Sequence, residues 1–361
     1  MSGFLRRAGW TALLSACLAP AAVADGDGLS LSFIGENGRI APERAFGAIS
    51  AGIYDPATDE VGNYTLLPFA KLSGEVRRVG GEIAYTRNDA FHFLGGPARL
   101  KLHLGYLSES DDESVTPDFP SVPNAFNRTC FALTPPDITC ALGGESERDA
   151  GLRRSLDGDI WSGGADAERA FRAGATSLTA SVGLAVEYTS RHEALAAYEA
   201  FLDISDFPLS YIDADADLTA FFAGLRFRVA AETPLSETLA LTGALTLDAG
   251  WLSADLDASL RHTRALNPSY PYPAIDDAVA ESVSRSAGAA RLALEAGFAW
   301  RASETLTLSF SGTAAWRRNE PYMRYGTVAL DPDGDYATHG ASIGLFDAWS
   351  YGLRASAMVS F

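Results

Sequence analysis

The sequence predicts an all-β fold, a transmembrane antiparallel up-and-down β-barrel, and three observations lead to this prediction. Apolar and polar residues alternate along many segments, which is the period of a strand with two different faces. The alternating rows are longer than typical soluble strands and match the roughly 9 to 11 residues that cross a bilayer obliquely. Beyond residue 24, no run of about 18 apolar residues could cross a membrane as a helix.

Residues 1–24 form a predicted signal peptide. Two arginines precede an apolar run, residues 8–19, that is too short to span a bilayer. Ala22-Val23-Ala24 then supplies the small residues that a signal peptidase needs, so the mature chain is expected to be residues 25–361, a single barrel domain. One alternative stays open, because Leu14-Ser15-Ala16-Cys17 resembles a lipobox, whose Cys17 would be lipidated.

Charge and cysteine content exclude some functions. The 28 basic and 46 acidic residues give a formal net charge of −18, and nucleic-acid binding needs a concentrated basic face instead. With Cys17 removed, Cys130 and Cys140 form an even pair whose close spacing predicts a local disulfide, worth roughly 3 kcal/mol in the loop-entropy model. A metal site is a weaker interpretation, since His is scarce and no Cys-x-x-Cys occurs.

Counting back from the C-terminus gives twelve predicted strands, with ten or fourteen also possible. The alternation is clearest in the second half of the chain and weakest near the N-terminus, where Pro68 interrupts one candidate. The predicted strands lie near residues 28–36, 46–54, 63–72, 78–87, 97–108, 158–172, 176–190, 218–231, 238–252, 288–300, 305–317 and 349–361.

Aromatic residues at the ends of these rows favour a membrane over a secreted β-sandwich, which would show similar alternation. A bilayer interface attracts aromatic rings to both rims of an apolar band. The predicted girdle consists of Tyr106, Tyr188, Trp251 and Trp316 on rising strands and of Trp300 and Phe361 on descending ones. Short turns at 232–237 and 302–304 alternate with long polar loops at 109–154, 191–217, 262–284 and 319–342, which orients every strand.

The last segment carries a resemblance to a known class. Its apolar residues alternate up to a terminal aromatic, in the order Tyr351, Leu353, Ala355, Ala357, Val359 and Phe361. This segment resembles the closing strand of Gram-negative outer-membrane barrels. The resemblance implies integral location in the outer membrane, contact with its lipid and lipopolysaccharide, and recognition of the C-terminal strand by the barrel-assembly machinery. It identifies no subfamily.

Positions that alternate with the apolar rows are predicted to face the lumen. Their charged residues are mostly basic, namely Arg99, Lys101, Arg226, Arg228, Arg291, Arg301, Arg317 and Arg354, against the acidic Glu82, Glu187, Asp248 and Glu295. Such a wall would favour passage of anionic solutes. Alternatively, Arg and Glu on neighbouring strands pair with one another and plug a narrow barrel.

Two functions follow from these alternatives. The first hypothesis is a passive, porin-like channel for small hydrophilic solutes, without catalysis or a tightly bound cofactor. The second is a closed structural barrel that uses its long extracellular loops for surface interaction. A lipid-acting hydrolase is less favoured, because such enzymes need a compact His and Ser pair on one strand face, and His339 with Ser342 lies in a Gly-rich loop with the wrong spacing. The sequence leaves the oligomeric state open.

Overall fold

A computed structural model describes residues 27–41, 44–55, 60–61, 65–66, 70–93, 96–115, 125–134, 137–141, 148–201, 210–264, 275–324, 328–330, 336–338 and 341–361. The predicted signal peptide and Cys17 lie outside the described residues. Among the described residues, no helix is long and apolar enough to cross a membrane.

Ten long strands form a closed barrel, in which each strand pairs antiparallel with its neighbours along the chain. The strands are β1 (Gly28–Arg39), β2 (Glu75–Phe93), β3 (Gly96–Val115), β4 (Arg148–Ala173), β5 (Thr176–Phe201), β6 (Ser210–Pro234), β7 (Leu239–Arg264), β8 (Ile275–Arg301), β9 (Leu306–Arg324) and β10 (Ser342–Ser360). Pairing of β1 with β10 closes the ring. The prediction of an up-and-down barrel is therefore confirmed, but the predicted number of twelve strands is wrong.

Two of the twelve predicted strands lie outside the barrel. Both belong to the connection between β1 and β2, and the strand Arg44–Asp55 pairs with Ala125–Thr134 from the connection between β3 and β4. Alternation shows that a segment is extended but does not show which strand it pairs with, so the sequence alone predicts these segments as members of the ring. The other short strands are Glu60–Val61, Thr65–Leu66, Ala70–Leu72, Asp137–Ala141, Val328–Leu330 and Tyr336–Thr338.

Most barrel strands are longer than predicted, because they continue into the segments that were expected to be loops. Polar and apolar residues still alternate there, but the polar residues now face outward and the apolar residues face inward. On β6, the outward apolar residues Phe221, Leu225, Phe227 and Val229 give way to outward Asp213, Asp215 and Asp217, while Ala214, Ala216 and Leu218 turn inward. The barrel wall therefore extends past the apolar belt on the side of the long connections, which is the extracellular side.

The outward face carries an apolar belt with aromatic residues at both rims. Tyr188, Trp251 and Trp300 are exposed on the outer wall, while Trp316 packs against Trp349 with ring centroids 6.4 Å apart. The rings of Tyr106 and Trp161 are in contact, with their centroids 4.7 Å apart. The predicted girdle lacked several exposed aromatic residues of the outer wall, namely Trp161, Phe171, Phe221, Trp349 and Tyr351.

Phe361 lies at the seam where the ring closes. Its backbone exchanges two hydrogen bonds with Asp27, of 2.9 and 3.1 Å, just before β1 begins. The Tyr85 hydroxyl and the Asn88 N–H donate to the Asp27 carboxylate, and these hydrogen bonds hold the pKa of Asp27 below its usual range. The chain ends are thus fixed to each other at the periplasmic rim.

Candidate functional site

The structure places most of the predicted lumen residues on the interior wall. These residues are Glu82, Arg99, Lys101, Glu187, Arg226, Arg228, Asp248, Arg291, Glu295, Arg317 and Arg354. Arg301 differs from them, because it is exposed at the end of β8, beside the turn to β9. The lumen is therefore the region in which the charged side chains of the barrel meet, and we treat it as the candidate functional site.

A run of alternating Arg and Glu side chains crosses the middle of the lumen. This ionic chain consists of Glu36, Arg78, Glu109, Arg191, Glu320, Arg317, Glu187 and Arg291. Arg78 donates to Glu36 at 2.8 Å and to Glu109 at 3.1 Å, and Glu109 also accepts from Arg191. The carboxylates and guanidinium groups of the ionic chain are equal in number, so their charges balance.

The ionic chain spans the lumen because Arg191 reaches from one wall to the other. Arg191 on β5 donates to Glu320 on β9 at 2.7 Å, and strands β6, β7 and β8 stand between them in the ring. Arg317 of β9 returns to Glu187 of β5 at 3.4 Å. Arg78, Glu109 and Arg191 are only 2%, 1% and 2% exposed, so water hardly reaches this part of the ionic chain.

Two backbone features make room for the ionic chain. A Cβ atom at Gly158 would lie 2.7 Å from Oε1 of Glu109, so a side chain there would displace this carboxylate. On β9, Arg317 faces the lumen by regular alternation, and a β-bulge between Arg317 and Glu320 turns Glu320 to the same side. Asn319 occupies the bulge with φ of 61°, a left-handed conformation that Asn tolerates better than most residues do.

A second charged group lies on the periplasmic side of the ionic chain. Arg226 donates to both carboxylate oxygens of Asp248, at 2.8 and 2.9 Å, and to Nε2 of His103 at 2.6 Å. Arg354 donates to Glu82 at 3.3 and 3.5 Å. These pairs add a further layer of fixed charges to the interior.

An apolar core fills the extracellular part of the barrel. Its residues come mainly from the inward faces of β6 and β7, with contributions from other strands, and include Leu195, Leu218, Phe222, Leu252, Leu256, Leu260, Met323 and Ile343. Phe222 lies at the boundary, with the guanidinium of Arg291 4.5 Å from its ring centroid. The ionic chain is therefore covered by a packed apolar layer.

Sequence reasoning missed one group of polar side chains on the outer wall. His192 lies 3.0 Å from Asp217 and 3.5 Å from Asp215, and all three side chains are exposed above the aromatic girdle. Ser190 stands two residues before His192 on the same strand, and the sequence prediction overlooked this pair as well. Antiparallel pairing of β5 with β6 sets His192 opposite Asp217, so a predicted strand register would have revealed this group.

The register also tests the geometry needed for the predicted disulfide. Cys130 and Cys140 are directly opposite each other on paired strands, a Cα arrangement that a disulfide can bridge. Their side chains lie outside the described ones, so the disulfide stays a prediction. We expect the oxidised mature protein to have no thiol that reacts with a thiol-specific reagent, while Cys130→Ser exposes one at Cys140 and leaves the barrel folded. Two reactive thiols in the unreduced protein would contradict the disulfide.

Closed pairing and an apolar outer belt together define the class of protein. A closed ring has no unpaired strand edge, which is what lets β-strands cross a bilayer, and the belt with its aromatic rims faces lipid. The chain is an integral β-barrel protein of the Gram-negative outer membrane. The structure and the comparisons below identify no subfamily.

No protein-family model matches the sequence, and no curated protein matches it. Similar solved structures include the outer membrane protease OmpT from Escherichia coli, at 10% identity over 95% of this chain and 99% of that one, with a TM-score of 0.39. A major outer membrane protein from Thermus thermophilus has 13% identity, coverages of 92% and 99% and a TM-score of 0.23. An anion-selective porin from Comamonas acidovorans has 10% identity, coverages of 93% and 100% and a TM-score of 0.18. None of these similarities assigns an activity to this chain.

Proposed function

We propose that the protein is a closed, non-enzymatic barrel whose function is carried by its extracellular extension and not by passage of solutes. The observation that supports this proposal most directly is the ionic chain, whose link from Arg191 to Glu320 joins opposite walls of the lumen. A continuous water-filled pore would expose the side chains along its path. Arg78, Glu109 and Arg191 are instead buried.

The apolar core supports the same proposal. It lies above the ionic chain, so a solute that entered from outside would have to displace first packed side chains and then paired charges. Separating a buried ion pair is costly, because each charge would lose its partner without regaining full hydration. Charged interior residues therefore favour the plugged alternative over the porin-like one in this barrel.

The extracellular extension is a rigid platform in this proposal. Strands β5 to β8 continue well past the girdle, and their outward residues there are polar, including Asp213, Asp215, Asp217, Asp255 and Asp257. Short strands of the long connections also pair with one another. We propose that this extension interacts with molecules at the cell surface, while the belt contacts lipid and lipopolysaccharide and the strand ending at Phe361 is recognised by the assembly machinery.

Planar-bilayer recording tests the closed barrel. We expect the refolded protein to give no channel steps at any applied voltage, because the ionic chain and apolar core block the lumen. A porin reconstituted in the same membranes provides the positive control. A shift in gel mobility on boiling shows that the inserted protein was folded. Regular conductance steps from the folded protein would overturn the proposal.

A further inference from the structure

A polar cavity occupies the periplasmic half of the lumen. Its volume is about 370 Å³, and its wall is built from inward positions of most barrel strands. Ser177 and Glu232, which are exposed and close to the short turns, lie at its rim, so its mouth opens to the periplasm. The Arg354–Glu82 pair lies deeper in the same cavity. The cavity is thus blind and open at one end, as binding pockets often are.

The wall of this cavity carries four cationic side chains and three carboxylates. The cations are Arg99, Lys101, Arg228 and Arg354, and the carboxylates are Glu82, Glu232 and Glu295. Serine and threonine hydroxyls, among them Ser30, Ser309 and Thr242, line the space between them. This combination provides many hydrogen-bond donors within one enclosed volume.

Carboxylates inside the cavity already have donors from the wall. Glu82 accepts from Arg354, while Glu295 accepts from the Ser311 hydroxyl at 2.6 Å and lies 3.8 Å from Arg228. Glu232 is exposed at the rim. The acidic groups therefore leave part of the donor capacity of the wall unused.

Lys101 is the cation with unused capacity. Its charge interacts with the nearby carboxylates of Glu82 and Asp166, but none of the residues that the structure describes forms a direct hydrogen bond or ion pair with its ammonium group, which has three donors. Arg99 pairs with Glu168 at 3.4 Å and donates to Thr179, but its buried Nε atom lacks a hydrogen-bond partner among those residues. The chain contains only two lysines, Lys71 and Lys101, so nearly all its other cations are the planar guanidinium groups of arginine.

We propose that this cavity binds a small, multiply charged oxyanion from the periplasm, with Lys101 as the principal contact. Phosphate, sulfonate and carboxylate groups share the property that matters, which is several acceptor oxygens that can be reached by converging donors. The volume is near the lower end of the range for ligand pockets, which limits the ligand to a small solute. Binding in a blind cavity does not require passage through the lumen, so it is independent of the result of the conductance experiment.

Titration calorimetry with inorganic pyrophosphate tests the proposal on the refolded full-length mature protein in zwitterionic detergent at low ionic strength. We expect saturable binding of one pyrophosphate per barrel. Lys101→Met should weaken it by about tenfold or more, the loss of one charge-assisted contact, whereas Lys101→Arg should retain most of the affinity. Arg153→Ala, an exposed extracellular change, is the matched control and should not alter binding.

A labelling experiment on the unaltered protein avoids dependence on variants. Pyrophosphate should slow acylation of Lys101 by an amine-specific reagent, read by mass spectrometry, while glycerol should not. Lys71 lies just before β2 on the extracellular side and serves as the internal reference, with unchanged labelling. Absence of saturable binding, equal affinity of a folded Lys101→Met variant, or equal labelling of Lys101 with and without pyrophosphate would each overturn the proposal.

Discussion

Replacing Arg191 with Ala should lower the free energy of unfolding by about 3–5 kcal/mol, the cost of leaving buried charges without their partner. Arg191 donates to both Glu109 and Glu320, and all three are almost fully buried. The change would leave two carboxylates inside the barrel without the guanidinium that joins them. Reversible urea unfolding of the protein in lipid vesicles measures the effect.

Arg153→Ala is the matched control for this experiment. Arg153 also pairs with a carboxylate, Asp112 at 3.1 Å, but these two side chains are 68% and 60% exposed. We expect its loss to cost under about 1 kcal/mol, since water replaces the partner. Adding Glu320→Gln to Arg191→Ala restores equal numbers of carboxylates and guanidinium groups in the ionic chain and should recover part of the loss. Equal effects of Arg191→Ala and Arg153→Ala would contradict the structural role of the ionic chain.

The wall of the barrel could be predicted from the sequence because a strand in a bilayer has a strict period. Leu245 and Leu247 alternate with Thr246 and Asp248, and the structure places these two sets on opposite faces of β7. The same period gave the inward direction of Arg226 and Arg291. Local alternation is a property of each strand alone, so it needs no knowledge of the rest of the chain.

The extracellular ends of the strands were missed because the apolar face changes sides there. Beyond Trp251, the outward residues of β7 become Asp255 and Asp257, while Leu256 packs inside. A search for apolar residues on one constant face ends at this exchange and assigns the rest to a loop. Allowing the face to change at an aromatic girdle would have extended these strands.

The ionic chain could be predicted only in part, since pairing across a lumen depends on closure of the ring. Arg191 and Glu320 are far apart in sequence and belong to strands that are not neighbours. Glu109, Arg191 and Glu320 also stood in segments predicted as loops. Glu320 faces inward only because of the bulge at Asn319, which shifts the parity of β9. Alternation alone would have placed it outside.

Phe222→Ala should be the second strongly destabilising change, at about 3–5 kcal/mol. Phe222 is 1% exposed in the apolar core and its ring lies against Arg291, so truncation leaves a cavity beside a buried cation. Its neighbour Phe221 points to lipid and is 50% exposed, which makes Phe221→Ala the matched control.

The two phenylalanines differ in what can fill the space that truncation leaves. Both truncations lose the free energy gained by moving a phenyl ring out of water. Fluid lipid chains can occupy the space left at Phe221, whereas the packed interior relaxes only partially at Phe222. Urea unfolding in vesicles should therefore show a larger loss for Phe222→Ala, and the difference measures the cost of the cavity and of the contact with Arg291. An equal loss for both variants would mean that the interior of the extracellular half is not tightly packed, and it would weaken the argument that this layer seals the lumen.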